Sequence, residues 1–135
     1  MERWEGRKRV AYWDAIGKCW TIGIGHTGPE VHEGLMWDDA RIDTEFDADW
    51  ARAQNAVLTR FPWAAQLNEA RLFVLINMAF QLGVDGLSHF VHTLAAVEAG
   101  NYELAKTQML DSAWATQTPM RAEAMAEQMA TGEWQ

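Results

Sequence analysis

The chain has 135 residues, 49% of them hydrophobic, with 11 basic against 19 acidic residues and a formal net charge of −8. That length suits one domain, and the acidity excludes a partner bound through phosphate neutralisation, so no nucleic acid is expected; the mean field would also repel an anionic polymer rather than steer it in. Cys19 is the only cysteine, which rules out an intramolecular disulfide, and no apolar run of about 18 residues or signal-peptide h-region stands out, so no stable membrane insertion is expected.

The first stretch with chemistry is Glu5 to His26, E-G-R-K-R-V-A-Y-W-D-A-I-G-K-C-W-T-I-G-I-G-H. Four residues precede Glu5, barely one helical turn, and an isolated turn is not stable without tertiary packing. Gly6 is suited to end that turn because glycine accepts the left-handed conformation without Cβ strain. A glutamate there opposes the helix dipole, which favours cations at a C-terminus. Val10 to Trp13 and Trp20 to Ile24 read as two short strands around a turn at Ala15 to Lys18. Glu5 then sits on a helix end and Asp14 at a strand edge.

Asp38 to about Arg60 reads as a long helix. Ile42, Phe46, Trp50 (or Ala53) and Val57 recur at spacings of three and four and give one apolar stripe, and Pro62 stops it. Six acidic residues crowd its first half. D-T-E-F-D-A-D lacks the glycine and closing glutamate of a calcium loop, so these read as a solvated face near a helix N-terminus. Asn68 is placed to cap a helix over Glu69 to Leu82, ended by Gly83 and apolar nearly all round, as a buried central helix would be. Asn77 and Gln81 share one face of it. The residues then predict a helix Leu87 to Ala99 closed by Gly100, another capped by Asn101 and running to about Ser112, and a last one, Pro119 to Ala130, with Thr118 as N-cap and Gly132 as terminator. His89 and His92 have a spacing that could serve a metal, but no third ligand accompanies them. The eight tryptophans read mainly as core packing, with some free to stack on sugar rings.

E-G…Y-x-D…G…T-I-G-x-G-H closely resembles the N-terminal signature of the phage-type lysozymes, glycoside hydrolase family 24. I-N-M-A-F-Q-L-G (Ile76 to Gly83), S-A-W-A-T-Q-T-P-M-R (Ser112 to Arg121) and T-G-E-W (Thr131 to Trp134) resemble later motifs of that family in the same order. The resemblance implies an α+β, mostly helical lysozyme-like fold. A small N-terminal β-hairpin lobe (about 1–37) would be joined by a helix (about 38–60) to an all-α lobe (about 61–135), as a single catalytic domain.

Cleaving a glycosidic bond needs one carboxylic acid to protonate the leaving oxygen and a second carboxylate across the bond. Glu5, close to apolar walls, is the plausible acid, and Asp14, more solvated, should stay ionised. The resemblance implies inversion, with Asp14 activating a water that Thr21 helps hold. Gly23 and Gly25 mark a kinked strand or a close approach of sugar or backbone. His26 reads as structural, with Asp47 as the ion-pair partner the family suggests. Arg121 lies in the first turn of the last helix, where the dipole disfavours a cation; the family points to Glu5 as its partner. By the same resemblance the Asn77 and Gln81 face borders the cleft. The implied reaction is hydrolysis of the β-1,4 bond between N-acetylmuramic acid and N-acetylglucosamine in peptidoglycan, by a monomer without metal or organic cofactor. The rivals are a transglycosylase using Glu5 alone and a glycan-binding or structural module without turnover.

Overall fold

A computed structural model describes all residues, Met1 to Gln135. The fold is α+β and mostly helical, with a three-stranded antiparallel sheet near the N-terminus and seven α-helices. The chain divides into two compact units, Met1–Arg52 and Ala53–Gln135.

In the first unit, α1 (Glu2–Glu5) is a single turn closed by the Trp4 and Glu5 N–H groups on the Met1 carbonyl. It ends at Gly6, whose φ of 73° and ψ of −177° lie in a region essentially closed to residues with a Cβ. The sheet comprises β1 (Lys8–Asp14), β2 (Cys19–Gly23) and β3 (His26–Thr27), in that order. β1 and β2 occupy the expected positions with shifted ends. β3 was not expected, since two residues carry no readable period. The other edge of β1 is covered by the segment before the long helix: the Ala11 N–H donates to the Leu35 carbonyl and the Trp37 N–H to the Arg9 carbonyl. Ala11, Ile22, Ile24, Val31, Trp37 and Ile42 form the core, with Trp20, Leu35 and Phe46 packed on it.

Helix α2 (Asp39–Arg60) begins one residue later than the sequence suggests, because Asp38 stays outside and its carboxylate accepts the Arg41 N–H at 2.8 Å. Its acidic first turns are not simply solvated. Arg7 pairs with Glu2, Asp39 and Asp43, and Arg9 with Asp39. These contacts tie the start of β1 to the helix N-terminus.

The second unit is helical. A short 3-10 turn, Pro62–Gln66, leads to α3 (Glu69–Ser88), whose N-terminus is capped by Asn68 accepting the Arg71 N–H. Gly83, at φ 77° and ψ 157°, breaks α3 where a helix end is expected, but helical structure resumes and runs on to Ser88. Leu87 therefore belongs to α3, fully buried, and the next helix, α4 (Val91–Glu98), starts later than Leu87. Helices α5 (Tyr102–Leu110), α6 (Ala113–Gln117) and α7 (Pro119–Thr131) follow. The short α6, capped by Ser112, was not expected. Thr118 precedes α7, yet its hydroxyl donates back to the Trp114 carbonyl at 2.9 Å rather than capping the new helix. Gly132 ends α7 in the left-handed conformation.

Val74, Leu75, Met78, Leu87, Met109, Met125 and Met129 are fully buried in this unit. The last carbonyls of α7, which no helical N–H reaches, are answered by α3: Arg71 donates to Met129 and Ala130, and Asn68 to Gly132. By length and mean hydropathy (1.3) α3 is the one helix long and apolar enough to cross a membrane; 44% of that window is buried within the protein.

Candidate active site

The two carboxylates singled out in the sequence both lie in the first unit. Glu5 is half-buried at the end of α1. Its side chain rests on the backbone of Gly25: a Cβ built there would stand 2.9 Å from Glu5 Oε2 and 3.0 Å from its Cδ. Gly25 also has φ of 67°, so both conformation and space require glycine. Asp14, half-buried, closes β1. Its Oδ1 accepts the Ile16 N–H at 3.0 Å, and the Lys18 N–H donates to its carbonyl at 2.7 Å. The turn thus fixes the carboxylate from below, and Gly17 leaves room for it, since a Cβ there would lie 3.0 Å from Oδ2.

The strand register gathers the remaining groups. Tyr12 pairs with Thr21 and Asp14 with Cys19, so these four side chains share one face of the hairpin. Thr21 is buried; its hydroxyl donates to the Cys19 carbonyl at 3.4 Å and lies 3.9 Å from Cys19 Sγ. Burial raises the Tyr12 phenol above its ordinary pKa, and the charges of Glu5, Asp14 and Cys19 raise it further. One phenol therefore feels both carboxylates. Tyr12 is the aromatic of the Y-x-D in the N-terminal signature, but the sequence gives it no role of its own, because an aromatic in a strand is routine.

His26, in β3, is buried and carries a carboxylate on each ring nitrogen: Nδ1 lies 2.6 Å from Asp49 and Nε2 2.6 Å from Glu30. Two acceptors require the doubly protonated imidazolium. The Asp49 hydrogen bond is the main cause of a pKa raised to about 9; burial opposes it, and Glu30 adds to it. The expected partner, Asp47, is exposed instead. The helix period explains the correction. Asp49 follows Ile42 and Phe46 at spacings of seven and three and joins their inward stripe, whereas two residues earlier the helix has turned about 200° away. That spacing was readable in the sequence. Glu30 was not, because it stands in a turn.

In the second unit, Arg121 is buried in the first turn of α7 and donates from Nε and Nη2 to Asn77 Oδ1, at 2.9 and 2.6 Å. Asn77 is fully buried on α3, and its Nδ2 has no protein partner. Gln81, one turn on, accepts the Trp114 indole N–H at 2.8 Å. Asn77 and Gln81 thus anchor two different elements, α7 and α6. Trp114 packs edge-on against Phe90 at 6.0 Å. Beside it opens a cavity of about 460 Å³ lined by Leu82, Phe90, Thr93, Gln108 and Ser112 among others. His89 and His92 are exposed on its rim.

A mostly helical α+β fold with a small three-stranded antiparallel sheet near the N-terminus is lysozyme-like. The chain belongs to the phage lysozyme family, whose model matches residues 2–128. It is 31% identical to the pre-baseplate central spike protein Gp5 of Enterobacteria phage T4, over 98% of this chain and 27% of that protein. It is 29% identical to the peptidoglycan hydrolase gp36 of Pseudomonas phage phiKMV, over 96% of this chain and 14% of that one. A probable T4-type lysozyme 1 of Dictyostelium discoideum is 33% identical, with 95% and 89% covered. The chain therefore spans 27% and 14% of the two phage relatives.

Proposed function

We propose that this chain hydrolyses the β-1,4 bond between N-acetylmuramic acid and N-acetylglucosamine in bacterial peptidoglycan, acting as a single catalytic domain and as a monomer. The observation that carries the reading is the hairpin geometry: Asp14 and Thr21 share one face with Tyr12, and the Glu5 carboxyl lies against the backbone of Gly25 just past β2. Family membership supports it.

In this reading Glu5 donates its proton to the glycosidic oxygen as the C–O bond breaks. Asp14, ionised, takes a proton from a water attacking the opposite face of the sugar, and the configuration inverts. Thr21, whose backbone is held in β2, positions that water. Gly25 keeps the Glu5 carboxyl in place. Arg121, with its guanidinium held by Asn77 Oδ1, is a supporting residue of the helical unit. Gln81 holds Trp114 as part of the wall that receives substrate. The protein would stay soluble in the host cytoplasm until a separate release route delivers it to the wall.

The similarity to a central spike protein over nearly the whole chain favours one second reading, in which the same activity serves as part of a virion component.

The test is wall hydrolysis by the parent beside Glu5→Gln, followed as turbidity, with mass spectrometry of the products. The expected result is reducing-end products carrying one added water, and loss of turnover in the folded variant. Anhydro products would replace hydrolysis by transglycosylation. Activity of Glu5→Gln within about tenfold of the parent would remove Glu5 as the acid.

A further inference from the structure

Strand alternation gives the opposite face of the hairpin a different chemistry. Trp13 and Trp20 are direct cross-strand partners, with ring centroids 5.8 Å apart and planes at 72°. Trp20 packs on the core of the unit. Trp13 does not: 54% of it stays exposed. The edge-to-face contact fixes the Trp13 indole without covering it. Ile16, in the adjoining turn, is 62% exposed, and Lys18, which closes that turn, is exposed as well.

The size of this patch narrows its occupant. A tryptophan buries at most about 250 Å², so two indoles, one of them partly covered, and one isoleucine offer far less than the roughly 800 Å² per partner of a stable protein interface. One or two pyranose rings fit that area. Their axial C–H groups form an apolar face that stacks on an indole, while hydroxyl and acetamido groups at the ring edge stay in water. Lys18, exposed in the same turn as Ile16, puts a positive charge at this end of the hairpin that complements an anionic strand.

We propose that Trp13, braced by Trp20, is a stacking platform for an N-acetylated sugar of a peptidoglycan strand, separate from the face that carries Asp14 and Thr21. The proposal rests on the reading of peptidoglycan as substrate. A wall offers many parallel strands, so one strand held on the platform raises the effective concentration of its neighbours at the cutting face.

The experiment is co-sedimentation with purified sacculi, using the full chain in the Glu5→Gln background so that the wall stays intact. Trp13→Ala should bind about tenfold more weakly while keeping the parent's melting temperature, and Trp13→Tyr, which keeps an aromatic face, should recover most of the loss. Peptide-free glycan strands should displace the parent. Three results would overturn the platform: unchanged binding by Trp13→Ala; an equal loss in Trp134→Ala, which would mean unspecific adsorption through any exposed indole; or light scattering that shows a dimer dissociated by Trp13→Ala. Because hydrolysis is scored with the Glu5-intact parent, an active parent with Trp13-independent binding rejects the platform alone. An inactive parent with Trp13-dependent binding rejects the hydrolytic reading alone.

Discussion

In Met1–Arg52 the side chains with chemistry are held by charge and by glycine. His26 is clamped between Asp49 and Glu30, Arg7 between three carboxylates, and Glu5 lies on the bare backbone of Gly25. In Ala53–Gln135 they are held by helix ends and an apolar core. Asn68, Asn101 and Ser112 cap helices, Arg71 closes another, and Arg121 donates to a buried carboxamide. A short hairpin cannot bury enough apolar surface to immobilise polar groups by packing, so electrostatics does more of that work. The first unit should accordingly respond to pH and salt, and the second to cavities and lost caps.

The largest effect expected is catalytic and lies in the first unit. Glu5→Gln should lower the wall-lytic rate by about 10³-fold, on the scale of removing a general acid, with a melting temperature close to the parent's. Steady-state rates beside a thermal melt check both halves. A variant that also unfolds would show that Glu5 holds α1 as well as doing chemistry.

Next comes a change confined to the helical unit. Asn77→Ala removes the acceptor of two hydrogen bonds from the buried Arg121 guanidinium, which should cost about 2–4 kcal/mol in chemical denaturation. The loss should be nearly independent of pH between 6 and 9, because neither Asn77 nor the Arg121 guanidinium titrates there.

The clamp on His26 should behave in the opposite way. Its folded pKa, near 9, stands above the ordinary 6.5. The native state therefore holds the proton more tightly, so the clamp contributes fully below about pH 6.5, weakens above it and is lost as pH rises through 9. Asp49→Asn should destabilise by about 2 kcal/mol near pH 6, with the difference from the parent shrinking toward pH 10. Asp47→Asn should stay within about 0.5 kcal/mol, as an exposed change does. Urea unfolding at several pH values separates the two. An equal loss from both variants would return the role to Asp47.

The smallest effect concerns salt. Of the five basic residues at the start of the chain, Arg3, Arg7, Lys8, Arg9 and Lys18, two are held in ion pairs with Glu2, Asp39 and Asp43. The repulsive mean field of a chain at −8 should then dominate approach to an anionic wall. Raising ionic strength from 0.01 to about 0.1 M shortens the screening length from about 30 to about 10 Å, so the lytic rate should stay flat or rise. A steep fall would mean that the basic residues steer despite their pairing.

What the sequence determined alone is what local physics can read. The stripe of α2 followed from a 3.6-residue period, the caps at Asn68 and Asn101 from side chains that accept their own helix N–H groups, and the breaks at Gly6, Gly83 and Gly132 from positive φ. The N-terminal signature and three later motifs in order carried the family. Tertiary structure decided the rest. Helical structure resumed past Gly83 because Leu87 found a buried place, and so α4 began later. Thr118 bonded back to Trp114 because α6 ends directly before it. β3 formed because His26 and Thr27 reached a β2 edge that no period announces. The close approach of Glu5 to Gly25 joins residues twenty apart in sequence, and Glu30 reached His26 from a turn. Caps and periods are set within a few residues of chain, where sequence is enough; which carboxylate meets which cation is set by burial and by the approach of distant segments, and only the folded chain supplies those.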